Sequence, residues 1–110
     1  MRAAVIGATG VIGSALVDAL AEEHDVVAVS RHPHEHPEER VRTVTADVAD
    51  GPSLRPALGG ADVVYYLVHS LGAPDFLARD REAAAAVAVE AERAGVGRLV
   101  YLGGSRRRPA

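Results

Sequence analysis

The run GATGVIG at residues 7–13 limits what this chain can fold into more than any other stretch. Its three glycines, at 7, 10 and 13, stand between an apolar segment, Ala3 to Ile6, and a helix-like repeat that begins at Val11. A short apolar run followed at once by glycine reads as a strand that leaves its sheet in a tight turn. The recurrence of Val11, Ile12, Ala15, Leu16, Ala19 and Leu20 predicts a helix with one buried stripe. Gly7 permits the sharp exit, Gly10 lets the main chain approach a phosphate with no side chain between them, and Gly13 lets the helix lie close on the sheet. The free amides around Gly10 to Ile12 would face a pyrophosphate at the positive end of the helix, and Thr9 could add a hydroxyl. The other reading is a tight strand-to-helix turn with no ligand. Context favours the phosphate reading, because strand, turn, helix and second strand arrive in order within the first 30 residues.

The remaining segments alternate in the same way, as expected of a parallel sheet covered by helices. Asp25 to Ser30 (DVVAVS) and Val41 to Ala46 (VRTVTA) read as the second and third strands, separated by a polar loop, Arg31 to Arg40, that carries Pro33 and Pro37. Ser53 is a candidate cap for a short helix to Leu58, which Pro56 restricts to an opening turn and Gly59 and Gly60 stop. Asp62 to Val68 (DVVYYLV) is almost continuously apolar, as a doubly covered fourth strand should be. The Ala-rich stretch Asp75 to Ala94 predicts a long helix closed by Gly95, and Arg98 to Leu102 a fifth strand. The domain is expected to span residues 1–104, with 105–110 (SRRRPA) as a frayed tail.

Three strand ends carry further markers. An NAD-specific domain places Asp or Glu at the end of its second strand to bond the ribose hydroxyls. Ser30 and Arg31 stand there instead, and a guanidinium can pair a 2′-phosphate in bidentate fashion, so NADP(H) is expected over NAD(H). The alternative is an ordinary solvated Arg. Asp47 and Val48, after the third strand, could meet an adenine edge and cover its face, although Asp47 could equally be a helix cap or loop residue. Leu67, Val68 and His69 end the fourth strand, beside the expected switch in strand order where cofactor riboses pass. His69 is open between a polar contact on the nicotinamide side and a histidine without chemistry.

Composition removes several function classes. There are no cysteines, which excludes disulfides, thiolate metal sites and thiol nucleophiles, and a net charge of -3 gives no general reason to expect nucleic-acid binding. No apolar run reaches membrane-spanning length and the first residues do not read as a signal peptide, so a cytoplasmic location is expected. All 12 basic residues are Arg, so any step that needs a lysine amine is closed to this chain.

GATGVIG at 7–13, SRHP at 30–33, ADV at 46–48, YYLVHSL at 65–71 and RLVYLGG at 98–104 together resemble the short-chain dehydrogenase/reductase superfamily, in its atypical NAD(P)H-binding, NmrA-like branch. The resemblance implies a Rossmann-type α/β domain with five parallel strands in the order 3-2-1-4-5, helices on both faces, and a dinucleotide ligand. In a complete relative the chemistry is hydride transfer in a reductase- or epimerase-like protein. The superfamily's catalytic Tyr, followed four residues later by Lys, has no counterpart at Tyr65, Tyr66 or Tyr101, and Gly103 and Gly104 replace the usual serine. No catalytic residue is therefore assigned. Family members continue into further strands, so the chain is expected to be either an N-terminal piece or a truncated product. Its fifth strand would be an edge open to self-association. A non-enzymatic redox sensor and an inactive remnant are the alternatives.

Other groupings are expected to be solvated. His32, His34 and His36 alternate with Glu35, Glu38 and Glu39 nearby, but the loop offers no scaffold for a metal, and none is assigned. Arg106 to Arg108 read as a charged tail. Asp75, Asp80, Glu82, Glu90 and Glu92 read as the wet face of the long helix.

Overall fold

The computed structural model describes residues 1–67 and 76–101. Five strands, β1 (Arg2–Ile6), β2 (Asp25–Ser30), β3 (Val41–Thr45), β4 (Val63–Tyr66) and β5 (Arg98–Tyr101), form one sheet. They alternate with α1 (Val11–Leu20), a 3-10 turn (Gly51–Leu54) that runs into α2 (Arg55–Leu58), and α3 (Phe76–Ala94). The sheet is parallel throughout, in the order β3-β2-β1-β4-β5, which is the expected order. In register, Val5 lies beside Ala28 and Tyr65, while Ile6 lies beside Val29 and Tyr66.

Side chains alternate across the pleat and so build two cores. On one face Ala4, Ile6, Val27, Val29, Val64 and Tyr66 meet Leu54, Ala57, Leu58, Val87 and Ala91 from α2, its preceding turn and α3. On the other, Val5, Val26, Ala28 and Val41 meet Val17 and Ala21, with Leu16 and Leu20 half-buried beside them. The predicted stripe of α1 is thus corrected: Gly13 and Val17 are its buried residues, whereas Val11, Ile12, Ala15 and Ala19 are exposed. The burying set is Gly13, Leu16, Val17, Leu20 and Ala21. The repeat is helical as read, but its centre is turned because a glycine is the residue nearest the sheet.

Two other expectations are overturned. Ser53 caps no helix: Leu54 is the cap residue of α2 and makes no side-chain bond there. Ser53 Oγ instead accepts the Asp47 N–H at 3.0 Å and lies 2.6 Å from the Asp50 carbonyl, closing the loop after β3. Glu90 is not on a wet face but is 6% exposed. Its carboxylate takes Arg55 Nε at 3.0 Å and Nη2 at 3.5 Å, with Arg93 Nε at 3.7 Å. The Glu90 hydrogen bond, helped by its charge, raises the Arg55 pKa against a small opposing effect of desolvation. The pair ties α2 to α3, a role that depends on residues 35 apart in sequence.

The glycine stops are as read. Gly59 is the C-cap of α2, Gly60 follows at φ 82, and Gly95 closes α3 at φ 76. Strand boundaries differ by a residue or two; the parts of the fourth and fifth strands expected at Val68 and Leu102 lie outside the described residues, as does the helix start at Asp75. Both edges are partly open, with Leu99 at 37% and Tyr101 at 47% exposure on β5. Among the described residues no helix is long and apolar enough to cross a membrane. Leu58 is fully buried where α2 meets the sheet. Leu58→Ala should therefore cost about 2–5 kcal/mol, read as a lower urea midpoint at unchanged m-value.

Candidate functional site

The C-terminal ends of β1 and β2 meet at the glycine turn. The amides of Gly7 and Ala8 both donate to the Val29 carbonyl at 3.0 Å, which fastens the turn to β2. Gly7 has φ 97, a conformation that a side chain would strain. Gly13 is required for a different reason: a Cβ there would stand 2.0 Å from the Gly7 carbonyl oxygen and 3.1 Å from Ala8 Cα. The helix can approach the turn only because that atom is missing. Gly10 is different again. Its φ is −73 and an added Cβ would meet only the Gly7 oxygen at 3.6 Å, an ordinary contact, so the protein's own packing does not demand glycine there.

That third glycine leaves the helix end open. Gly10 is the N-cap of α1 and provides no side-chain hydrogen bond, and the first bond of the helix runs from the Ser14 amide to the Gly10 carbonyl at 2.8 Å. The amides of Val11, Ile12 and Gly13 have no acceptor among the described residues. Such unpaired donors at the positive end of a helix favour an anion. Around them the side chains of Val11 and Ile12 are 90% and 69% exposed.

Next to this helix end lies a cleft of about 170 Å³, lined by Ile6, Gly7, Thr9, Val29, Ser30, Arg31, His32, Ala46 and Val48. Five of the residues singled out from the sequence, Gly7, Thr9, Ser30, Arg31 and Val48, are thus brought to one place from three strand ends. Arg31 is exposed, and its guanidinium has no hydrogen bond or ion pair among the described residues. Ser30 is buried and turned inward, bonded to the His32 carbonyl and to His34 Nδ1, the latter at 2.9 Å. Asp47 does not line the cleft: its Oδ1 accepts the Ala49 amide at 2.9 Å, the loop role that had been kept open for it. Leu67 is buried in the core on the α1 face, with its amide on the Ile6 carbonyl at 2.9 Å. Val68 and His69 lie outside the described residues.

Sequence reasoning passed over Ile6, Val29, Ala46 and His32 as wall residues. The first three end the strands that carry the named ones, so strand-end position was a usable signal. His32 had been set aside with its neighbours as solvated loop, yet His34 and His36 are half-buried and engaged. His36 Nε2 meets Asp18 Oδ1 at 2.9 Å, and the imidazoles of His34 and His36 therefore face different partners rather than a shared ion. Among the described residues no group of three or more His, Cys, Asp or Glu could hold a metal. A larger, shallow groove of about 750 Å³ lies at the other end of α1, between Asp18, Glu22 and the loop at His36 to Arg40, away from the glycine turn.

Because backbone atoms block the Gly13 Cβ and cannot move aside, Gly13→Ala should cost about 3 kcal/mol, whereas Gly10→Ala should stay within about 1 kcal/mol of the parent; urea titration with circular dichroism measures both.

A family model described as NAD(P)H-binding matches residues 7–107. An uncharacterized protein of Mycobacterium tuberculosis is 33% identical over 102 residues, which is 92% of this chain and 12% of that protein. The L-arabinose 1-dehydrogenase (NAD(P)+) of Haloferax volcanii is 38% identical over 66 residues, 60% of this chain and 24% of the enzyme. A crystal structure of a short-chain dehydrogenase/reductase superfamily protein from Agrobacterium tumefaciens with bound NAD superposes with a TM-score of 0.72 at 28% identity, over 92% of this chain and 32% of that one. The chain therefore spans only a minor part of the length of each of these relatives. By sequence match and by fold together, it belongs to the NAD(P)H-binding family and carries the Rossmann fold of the dehydrogenases it resembles.

Proposed function

We propose that this chain is the NADP(H)-holding portion of a reductase-like protein of the atypical, NmrA-like short-chain dehydrogenase branch, acting in the cytoplasm, with residues 1–104 as the binding domain. The observation that carries the reading is the cleft at the ends of β1, β2 and β3, whose wall includes Gly7 and Thr9 of the turn that leads into the unpaired amides of α1. Those amides, at Val11, Ile12 and Gly13, would hold the pyrophosphate, with Thr9 adding a hydroxyl. Gly10 would leave the space that a phosphate oxygen needs, which gives a purpose to a glycine that packing does not require.

Arg31 is the residue we assign to the 2′-phosphate. It stands at the end of β2 without a carboxylate partner among the described residues, and no Asp or Glu occupies that strand end to bond ribose hydroxyls. Val48 would cover the adenine face. Asp47, with one oxygen already taken by Ala49, would reach the adenine edge only through its other oxygen. Leu67 would act as backing for the strand end where the riboses pass, and Val68 and His69 would contact them. Bound NADPH supplies a hydride to a substrate carbonyl in such proteins; what the residues of this chain do is bind, orient and select the cofactor.

Fluorescence titration of the folded chain with NADPH and NADH tests the proposal. Binding of NADPH weaker than about 1 mM would overturn it. Gly10→Val should weaken both cofactors alike, because the pyrophosphate is common to them. Arg31→Ala should weaken NADPH by roughly 10- to 100-fold and NADH by less than about twofold, as expected for a charge-assisted pair. Equal losses would reject the assignment of Arg31.

A further inference from the structure

The Arg31 backbone sits inside a closed ring of contacts that the cofactor reading does not use. Ser30 Oγ bonds to the carbonyl oxygen of His32 and to Nδ1 of His34 at 2.9 Å. A hydroxyl has one proton. An acceptor-only carbonyl must receive it, so Ser30 donates to His32, and the Ser30 oxygen must accept from His34. His34 is thereby held with its proton on Nδ1. Its Nε2 is buried and has no hydrogen-bond partner among the described residues.

These contacts span the bend just past the end of β2. Ser30 is 8% exposed at the end of β2, where its position is set by the ladder to β3, with Ser30 beside Thr45. Pro33 restricts His32 to extended conformations and cannot donate a backbone hydrogen bond, so the loop has few contacts of its own with which to hold its start. The clasp from Ser30 to His32 and His34 supplies them. Arg31 stands between its two ends, with both Arg31 and His32 on the wall of the cleft.

We propose that His34 is a positioning residue for cofactor selection: by donating Nδ1–H to Ser30 Oγ it closes a clasp over residues 30–34 that holds Arg31 at the cleft for a 2′-phosphate. The inference rests on the NADP(H) reading, and it adds a determinant that touches no part of the cofactor. An unclasped loop would let a long, flexible Arg side chain lose its anchor at the backbone, and the ordering cost would then fall on phosphate binding. Selectivity, rather than binding in general, is what the clasp governs.

The test uses the full chain and compares dissociation constants for NADPH and NADH. His34→Ala should weaken NADPH by roughly three- to tenfold, the equivalent of one lost hydrogen bond, and leave NADH within about twofold. His34→Asn, whose side-chain N–H can stand where Nδ1–H stood, should restore most of the NADPH affinity. His34→Gln, whose amide reaches one bond further, should not. A cooperative urea transition with the parent's m-value shows that each of the three is folded. Equal weakening of both cofactors by His34→Ala, or failure of Asn to restore NADPH in a folded protein, overturns the clasp. If Arg31→Ala is selective and His34→Ala is not, the clasp fails while the phosphate reading stands. If Arg31→Ala is itself unselective, the phosphate reading falls and takes the clasp with it.

Discussion

The close approach of α1 to the turn that precedes it underlies the geometry of this molecule. Gly13 lies so near the Gly7 carbonyl that a single carbon would overlap it. That contact seats the first turn of the helix against the glycine turn, and Gly7 and Thr9 of that turn stand on the wall of the cleft. The two bonds from Gly7 and Ala8 to the Val29 carbonyl fix the same turn to β2, so helix end and strand ends form one rigid unit. A site on such a support is held by backbone, which loses little entropy when a ligand arrives.

Charge is arranged locally rather than globally. The chain as a whole is acidic, with a net charge of -3, yet the cleft sets Arg31 across from the glycine turn with no carboxylate on its wall. Three other arginines serve structure. Arg55 and Arg93 neutralise the buried Glu90, and Arg42 Nη2 donates to the Pro56 carbonyl at 3.3 Å. Arg31, by contrast, has no ion pair among the described residues and stands on the cleft wall.

Much of the fold was legible because period and glycine placement respond to local physics. Strict alternation of strand and helix patterns, with Gly7, Gly10 and Gly13 at the first turn, is enough to imply a parallel sheet and an open helix end. The candidate site was legible where it lies at strand ends, as with Ser30, Arg31 and Val48. The misreadings concern which polar groups meet. Glu90 was assigned from its own helix, but its partner Arg55 lies 35 residues away, where local sequence cannot reveal it, and Ser53 was assigned to the helix after it, whereas its partners Asp47 and Asp50 lie in the loop before it. The stripe of α1 was misplaced for a related reason: a glycine carries no hydropathy signal, yet it marks the line of closest contact.

The sequence by itself therefore determined the element order, the phosphate-type turn and the identity of the cation at the end of β2. Each depends on residues adjacent in the chain and on the restricted conformations of glycine and proline. Only the tertiary structure decided which of the candidates share a cleft, that Leu67 belongs to a core, and that Ser30 turns inward to His34. These outcomes depend on packing across the sheet, where β1, β2 and β3 set side chains from residues 7 to 48 beside one another, and such distances exist only once the strands are paired.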